Sequence, residues 1–463
     1  MSEEKAKMGT GRKVLIVLIC LMLLLTVAAY FIGVYYFSEH FLPGTMVNGF
    51  NCSYMKAEEA EDLLAKRAEA YVLAIQTHGN GQESISSEQI GLTYNRDGSV
   101  QKTIRQQNRF QWFLSFGKTH TYELPSTIVY DAAKLYQTVA GLKCMTEGVP
   151  STDAYLTDTG TSFEITPETE GTELDGDQVQ ALIASAIVTG KTSVNLVEEN
   201  CYKKPSVYRD DPDLLRQCQQ ANQLTDVIIT YDFGDRTETV DRDLIKDWLM
   251  IENNECVLNR EMVSAYVHEL ANKYDTFGGT RMFRTYDGRE IPVSGGDYGW
   301  VIDQTAETDA LIQAVSSGVT QVRTPVYQYE AWSRNTNDIG YTYIEIDLTN
   351  QRMVFYQDGY PLVDTLVVTG NPNIPGMETP VGCFALDAKQ SPAVLTGEDY
   401  QANVTYWMPF CGNVGIHDAT WRTQFGNNLY LWEGSHGCVN TPYEKAQAIY
   451  QNVEVGCPVV VHY

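Results

Sequence analysis

Gly434-Ser435-His436-Gly437-Cys438-Val439-Asn440 sets a thiol beside a histidine and a glycine, directly ahead of Thr441-Pro442-Tyr443-Glu444. The latter reads as a helix start, with Thr441 as N-cap, Pro442 at the first helical position and Glu444 at the third. Only the thiolate is a strong nucleophile, and a helix N-terminus or a nearby imidazolium lowers a cysteine pKa from its ordinary value of about 8.5. The stretch therefore predicts a reactive thiolate at Cys438. Gly437, lacking a side chain, lets a substrate carbonyl approach the amides of Gly437 and Cys438, which are placed to serve as an oxyanion hole. Gly415-Ile416-His417 supplies a second histidine, with seventeen residues between it and Ser435. Spacing alone does not choose between His417 and His436 as the general base, since either reaches the sulfur in a folded domain. Two bland readings compete: a buried structural thiol, and a zinc site. The second would rest on His417, His436 and Cys438 alone, because the chain has neither an H-E-x-x-H helix nor a C-x-x-C pair.

Around this stretch the pattern is that of strands. From Tyr341, Ile344, Ile346 and Leu348 alternate with polar residues, and Met353 and Phe355 do so again after Thr349-Asn-Gln-Arg352, which predicts a β-hairpin. Asp358-Gly359 marks a tight turn before a strand over Leu362 to Val368, and the Gly-, Pro- and Asn-rich stretch Gly370 to Gly376 is loop. A short helix to about Tyr450 and a last strand over Pro458 to Val461 close a β-rich domain spanning 339–463.

The middle of the chain repeats. Phe163-Glu-Ile165, Gly171 and Leu174-Asp175 correspond to Ile291-Pro-Val293, Gly299 and Ile302-Asp303 at a shift of 128, and Leu135, Val139 and Leu142 to Val263, Val267 and Leu270. Upstream, Gly79, Ile85 and Ile90 match Gly234, Val240 and Ile245 at a shift of 155, so the first copy carries an insertion of about 27 residues between Gly91 and Pro125. Each copy reads as an α+β module, for example through the apolar stripe Ala57, Ala60, Leu63, Leu64 and Ala68 of a helix over Met55 to Ala70. The copies span 38–200 and 201–338; His78, His120 and His268 in them are isolated, and the modules are expected to bind or to space rather than to catalyse. The fold class is thus α+β multidomain.

Val14 to Phe37 is an apolar run long enough to cross the hydrocarbon of a bilayer, for which ~20 residues suffice. It exceeds the core of a cleaved signal peptide and lacks a small-x-small cleavage site. Lys5, Lys7, Arg12 and Lys13 precede it, so residues 1–13 are assigned to the cytoplasm, 14–37 to a transmembrane helix and the rest to the outside. The chain has 463 residues, 59 acidic against 33 basic, a net charge of −26 that repels nucleic acid. Of ten cysteines nine lie beyond the membrane segment, an odd number that leaves at least one unpaired within the chain.

The pattern His417, seventeen residues, Ser435-His-Gly-Cys-Val-Asn440 resembles the signature of the L,D-transpeptidase family, and the likeness extends over Tyr341 to Tyr463 through Thr379-Pro-Val-Gly382 and Gly456-Cys-Pro-Val459. Phe41-Leu-Pro-Gly-Thr-Met-Val-Asn-Gly49 similarly resembles a peptidoglycan-binding module found beside cell-wall enzymes. The layout of anchor, two wall-associated modules and terminal catalytic domain resembles Gram-positive members.

The resemblance implies an extracytoplasmic cysteine acyltransferase without cofactor. Cys438 attacks the carbonyl joining the third residue of a peptidoglycan stem tetrapeptide to its terminal D-alanine, and the thioester is captured by an amine of a neighbouring stem to give a 3→3 cross-link. It further implies His417 as base, oriented by the backbone carbonyl of Asp418, where many members carry a small residue. His436, Gly437 and Asn440 shape the site, Ser435 bonds locally, Trp421 contacts substrate, and carbapenems acylate the cysteine. Rival readings are an L,D-carboxypeptidase on the same stems, a sortase, whose Thr-Leu-x-Thr-Cys strand is missing, and a noncatalytic wall-binding protein.

Overall fold

The computed structural model describes residues 9–397 and 401–463; Lys5 and Lys7 lie outside the described residues. The chain divides into two compact units, Met1–Thr157 with Ile165–Asp211, and Asp158–Glu164 with Pro212–Tyr463.

The first unit opens with a 27-residue helix, Thr10–Tyr36, whose most apolar stretch has a mean hydropathy of 3.0. At 1.5 Å per residue it is about 40 Å long, more than the ~30 Å of bilayer hydrocarbon, and its leucines, isoleucines and valines from Val14 to Ile32 are exposed.

After it comes the first copy of the repeat, a three-stranded sheet with Val72–Gln76 between Gln82–Ser86 and Ser193–Asn195. The second unit holds the same sheet, with Ile229–Asp232 between Thr237–Val240 and Gln321–Arg323. In both, the first hairpin is antiparallel and the third strand parallel. The covering helices Gly176–Val188 and Gln304–Ser316 start alike: Asp175 accepts from the Gln178 N–H at 3.1 Å and Asp303 from the Ala306 N–H at 3.0 Å. Leu135, Val139 and Leu142, like Val263, Val267 and Leu270, are buried in these cores. Gly171 and Gly299 recur because a Cβ there would run into the backbone of Ser151 and Phe277 respectively. The helix expected over Met55 to Ala70 spans Ala57–Glu69 and buries Ala60, Leu64 and Ala68.

The C-terminal domain packs two sheets on one core. A five-stranded sheet runs in the order Tyr360–Leu366, Arg352–Gln357, Tyr343–Asp347, Pro458–His462, Gly382–Ala385. The last strand of the chain thus enters its interior, parallel to Tyr343–Asp347. A three-stranded sheet carries Val414–Asp418 between Trp407–Cys411, antiparallel, and Val439–Thr441, parallel. Ile344, Ile346, Met353 and Phe355 from the first sheet and Met408, Phe410, Ile416 and Val439 from the second share the core with Ile449 of the helix Tyr443–Asn452.

The expected hairpin forms with Ile344 opposite Phe355, and the Asp358-Gly359 turn has positive φ at both residues, 51° and 82°. The next strand ends at Leu366 rather than Val368, because Val368 leaves the sheet to pair with Asn440. Glu345 and Asp347, the polar residues alternating with Ile344 and Ile346, are 1% and 0% exposed. The turn Thr285–Arg289 of the second repeat covers them: the Tyr286 N–H donates to Glu345 at 2.9 Å, and Arg289 pairs with Asp347 at 3.4 Å. His462 adds a 3.0 Å contact to Glu345 Oε1, while Oε2 of the same carboxylate is buried without a partner among the described residues.

Candidate functional site

Parallel pairing of Val414–Asp418 with Val439–Thr441 sets His417 opposite Asn440 and brings the two sequence motifs together. His417, Trp421, Ser435, His436, Cys438 and Asn440 all line one cavity of about 260 Å³, which Leu395, Ala402, Arg422 and Gly434 complete. Gly437 and Asp418 adjoin it as chain neighbours of lining residues.

The segment Val368–Asn371 clasps the cysteine loop at both ends. The Ser435 N–H donates to the Thr369 carbonyl at 3.0 Å, the Asn371 N–H to Ser435 at 3.2 Å, and Val368 and Asn440 exchange bonds of 3.0 and 2.9 Å. Inside the loop, Ser435 Oγ accepts from the Gly437 N–H at 3.1 Å and donates to the Cys438 carbonyl. Thr379, from the Thr-Pro-Val-Gly motif, donates from Oγ1 to the Gly437 carbonyl at 2.7 Å and accepts from the Gly370 N–H at 2.9 Å. Gly370 itself must be glycine, since a Cβ would meet the Met377 carbonyl and stand 2.8 Å from Gly437 Cα. Thr379→Val should leave two buried backbone groups unpaired and lower stability by about 1–3 kcal/mol. Chemical denaturation of the purified chain checks it.

Three expectations are corrected here. Thr441 is a strand residue and Pro442 the N-cap of Tyr443–Asn452, so Glu444 is the second helical residue and Cys438 leads into a strand, not a helix. Cys438 is 6% exposed, and burial pushes its thiol up to about 11 rather than down toward a thiolate. Its Sγ donates to the Asn413 carbonyl at 3.4 Å. The Gly437 amide, expected to face an oxyanion, is already committed to Ser435.

The two histidines, equivalent by spacing, differ in setting. His436 is exposed on the rim, whereas His417 is 3% exposed. Burial holds the His417 imidazole below its usual pKa; the Asp418 carbonyl and carboxylate oppose this, and the Arg422 charge adds to it. The His417 Nδ1–H donates to the Asp418 carbonyl at 3.0 Å, which leaves Nε2 of the neutral ring as the acceptor. The Asp418 carboxylate is used elsewhere: Oδ1 accepts from the N–H groups of Thr405 and Tyr406 at 2.8 and 2.7 Å, fastening the segment that leads from the Ala402 wall. The Trp421 ring lies 5.8 Å from His417 and is 52% exposed.

Residues 341–461 match the family model of the YkuD L,D-transpeptidase catalytic domain. Residues 83–195 and 221–323 match the one described as "Putative peptidoglycan binding domain". A cysteine-to-serine mutant of Enterococcus faecium L,D-transpeptidase, solved by crystallography, is 35% identical over 53% of this chain and 100% of that one, with a TM-score of 0.49. The chain belongs to the L,D-transpeptidase family. The catalytic domain of the E. faecium L,D-transpeptidase acylated by ertapenem is 41% identical over 27% of this chain and 98% of that one, TM-score 0.25. L,D-transpeptidase 3 of Mycobacterium tuberculosis with a faropenem-derived adduct is 22% identical over 26% and 60%, TM-score 0.23. No curated protein matches the chain.

The chain is thus an acyltransferase of the family that cross-links peptidoglycan, and its repeats belong to the domain family matched above. The matched repeats begin at residue 83, so Phe41–Gly49, read above as the opening of such a module, lies outside them; Phe41 and Val47 are instead core residues of a separate small cluster. Among the described residues no three His, Cys, Asp or Glu side chains are grouped as a metal site needs. Sequence reasoning passed over Arg422 in the transpeptidase pocket. Its side chain is 15% exposed, one terminal nitrogen donates to the Glu433 carbonyl, and its Nε is buried without a partner among the described residues. The available signal was a cation following Trp421 in a chain of net charge −26.

Proposed function

We propose that the protein is a membrane-anchored transpeptidase in which Cys438 is the nucleophile and His417 the general base, forming 3→3 cross-links from tetrapeptide stems. The observation that carries this reading is the buried, neutral His417, tied through Nδ1 to Asp418 and offering Nε2 in the same cavity as the Cys438 thiol. The resting pair is thiol and imidazole. As Sγ attacks the carbonyl of the third stem residue, His417 Nε2 takes the thiol proton; the developing oxyanion lies against the Cys438 amide. Collapse breaks the bond to D-alanine, whose nitrogen receives that proton from His417 and leaves. An acceptor amine then gives a proton to His417 as it attacks the thioester, and the proton returns to the departing sulfur. Acyl-bond energy is kept in the thioester, so no nucleotide is required. Trp421 and Asn440 border the donor peptide in this scheme, and Ser435, His436 and Gly437 hold the loop.

Transfer to water instead of an amine would make the same site an L,D-carboxypeptidase. Incubating the protein with disaccharide-tetrapeptides and weighing the products separates them: dimers short of one D-alanine are expected, and tripeptide monomers alone would overturn the transpeptidase reading. Ertapenem acylates the E. faecium catalytic domain, and a carbapenem adduct on Cys438 is expected here. The helix Thr10–Tyr36 is assigned as a single span with residues 1–13 inside and the enzyme outside, where its wall substrate is.

The titration of the pair sets a pH signature. Because His417 sits below the usual imidazole value of about 6.5, it stays a competent base as the medium falls through that value. Activity should therefore hold at pH 6.5 and fall only in more acidic solution, and kcat/KM against pH reads it. Arg422→Gln, removing a charge that opposes His417 protonation, should move that acid limb upward.

A further inference from the structure

We infer that the insertion in the first repeat, residues 99–122, is a second membrane contact that seats Phe110, Phe113, Leu114 and Phe116 among anionic phospholipids where the N-terminal helix emerges. The inference rests on that helix spanning the bilayer. The insertion folds as the helix Ser99–Gln106, a 3-10 turn Arg109–Leu114 and the strand His120–Tyr122, the last paired with Thr45–Val47 just after the membrane helix. Val100 and Ile104 bury into the local core with Phe41 and Leu64, so the scaffold is held while the turn projects from it.

The turn presents what a folded protein ordinarily hides. Phe110, Phe113, Leu114 and Phe116 are between 49% and 56% exposed, four large apolar side chains within seven residues. They are continuous with the membrane helix. Trp112 Nε1 donates to the Tyr30 carbonyl at 3.3 Å, Tyr30 Oη to the Phe110 carbonyl at 3.1 Å, and the Tyr30 and Phe113 rings stand 6.1 Å apart. Gly33 makes this close approach possible, because a Cβ there would collide with the Trp112 ring. About twenty residues counted from Val14 cross the hydrocarbon and end near Gly33. Tyr30 and Gly33 then lie at the outer boundary, the depth at which aromatic rings partition, and the attached turn shares it.

Charge points to the same occupant. From Ser99 to Tyr122 the chain has Lys102, Arg105, Arg109 and Lys118 and no Asp or Glu, in a protein of net charge −26. All four cations are exposed, and the Arg109 guanidinium stands 5.5 Å from the Phe110 ring. Apolar side chains flanked by cations are the composition of an interfacial anchor on anionic lipid. The second repeat lacks this insertion, and no membrane helix adjoins it in sequence.

The test uses the full-length chain in phosphatidylcholine–phosphatidylglycerol vesicles whose acyl chains are brominated near the headgroup or near the bilayer centre. Phe113→Trp and Phe116→Trp, two positions so that one failing to fold leaves the other, should each add fluorescence that shallow bromines quench strongly. Leu23→Trp, in the middle of the membrane helix, should be quenched most by deep bromines. If Leu23→Trp is quenched but the added loop fluorescence is the same in brominated and plain vesicles, the inference is overturned while the span stands, and the aromatic patch belongs to a protein partner or a second copy. If Leu23→Trp escapes quenching too, the span fails and the inference falls with it. Arg109→Gln with Lys118→Gln should weaken the loop quenching in vesicles containing phosphatidylglycerol; no change would overturn the assignment to anionic lipid.

Discussion

Cys438→Ala should abolish D-alanine release and dimer formation, a loss on the order of 10⁴-fold or more, because a covalent path disappears with its nucleophile. The same variant should lose the mass increment that a carbapenem adds to the wild-type protein. Intact-protein mass spectrometry reads both forms, and an adduct persisting on the variant would refute the assignment of the nucleophile. Of the ten cysteines, none is in a disulfide, and Cys438 shares a cavity with two histidines. Cys383 and Cys457, in the same domain, are fully buried and raised to about 12, which keeps them inert as packed thiols.

His417→Gln should lower kcat by about 10²–10⁴-fold, the range for loss of a general base, with KM changed far less. The requirement is steep here because burial raises the Cys438 thiol to about 11, so without a base the sulfur is almost wholly protonated at neutral pH. The pH dependence separates this role from a structural one. In His417→Gln the residual alkylation of Cys438 by iodoacetamide should rise steadily with pH, because ionisation of the thiol is then the only route to the nucleophile. In the wild type it should already be fast near neutrality. An unchanged alkylation profile in the variant would remove His417 from the proton path. A linked effect concerns stability: a folded-state imidazole pKa below that of the unfolded chain contributes stability above about pH 6.5 that is lost as pH falls through the folded value, because the unfolded state then binds the extra proton.

Much of this architecture was legible in the residues. Period-two alternation found the Ile344–Phe355 hairpin, Asp358-Gly359 found its tight turn, and the 128-residue shift found two copies that share sheet order and an aspartate N-cap. Such signals are local, each carried by neighbours in sequence, and survive without knowledge of the rest of the fold. Contacts between residues remote in sequence set other features. Thr441-Pro442 has the composition of a helix start, but pairing of Val439–Thr441 with Val414–Asp418 extends a strand through Thr441 and delays the helix by a residue. Glu345 and Asp347, the polar residues of an alternating strand, are buried by a turn from about sixty residues upstream.

What the sequence by itself determined was an apolar N-terminal helix long enough to cross a membrane, the repeats, the β-rich terminal domain and the pairing of a Ser-His-Gly-Cys stretch with an upstream histidine, because patterns of residue type and spacing are written along the chain. What only the tertiary structure decided was which histidine is buried against the cavity and which is on its rim, that the thiol is held neutral, that Thr379 and Val368–Asn371 brace the loop, and that Asp418 spends its carboxylate on Thr405 and Tyr406. These are consequences of desolvation and hydrogen bonding by groups remote in the chain, and a proton affinity belongs to the surroundings that folding brings to a residue, which no motif encodes.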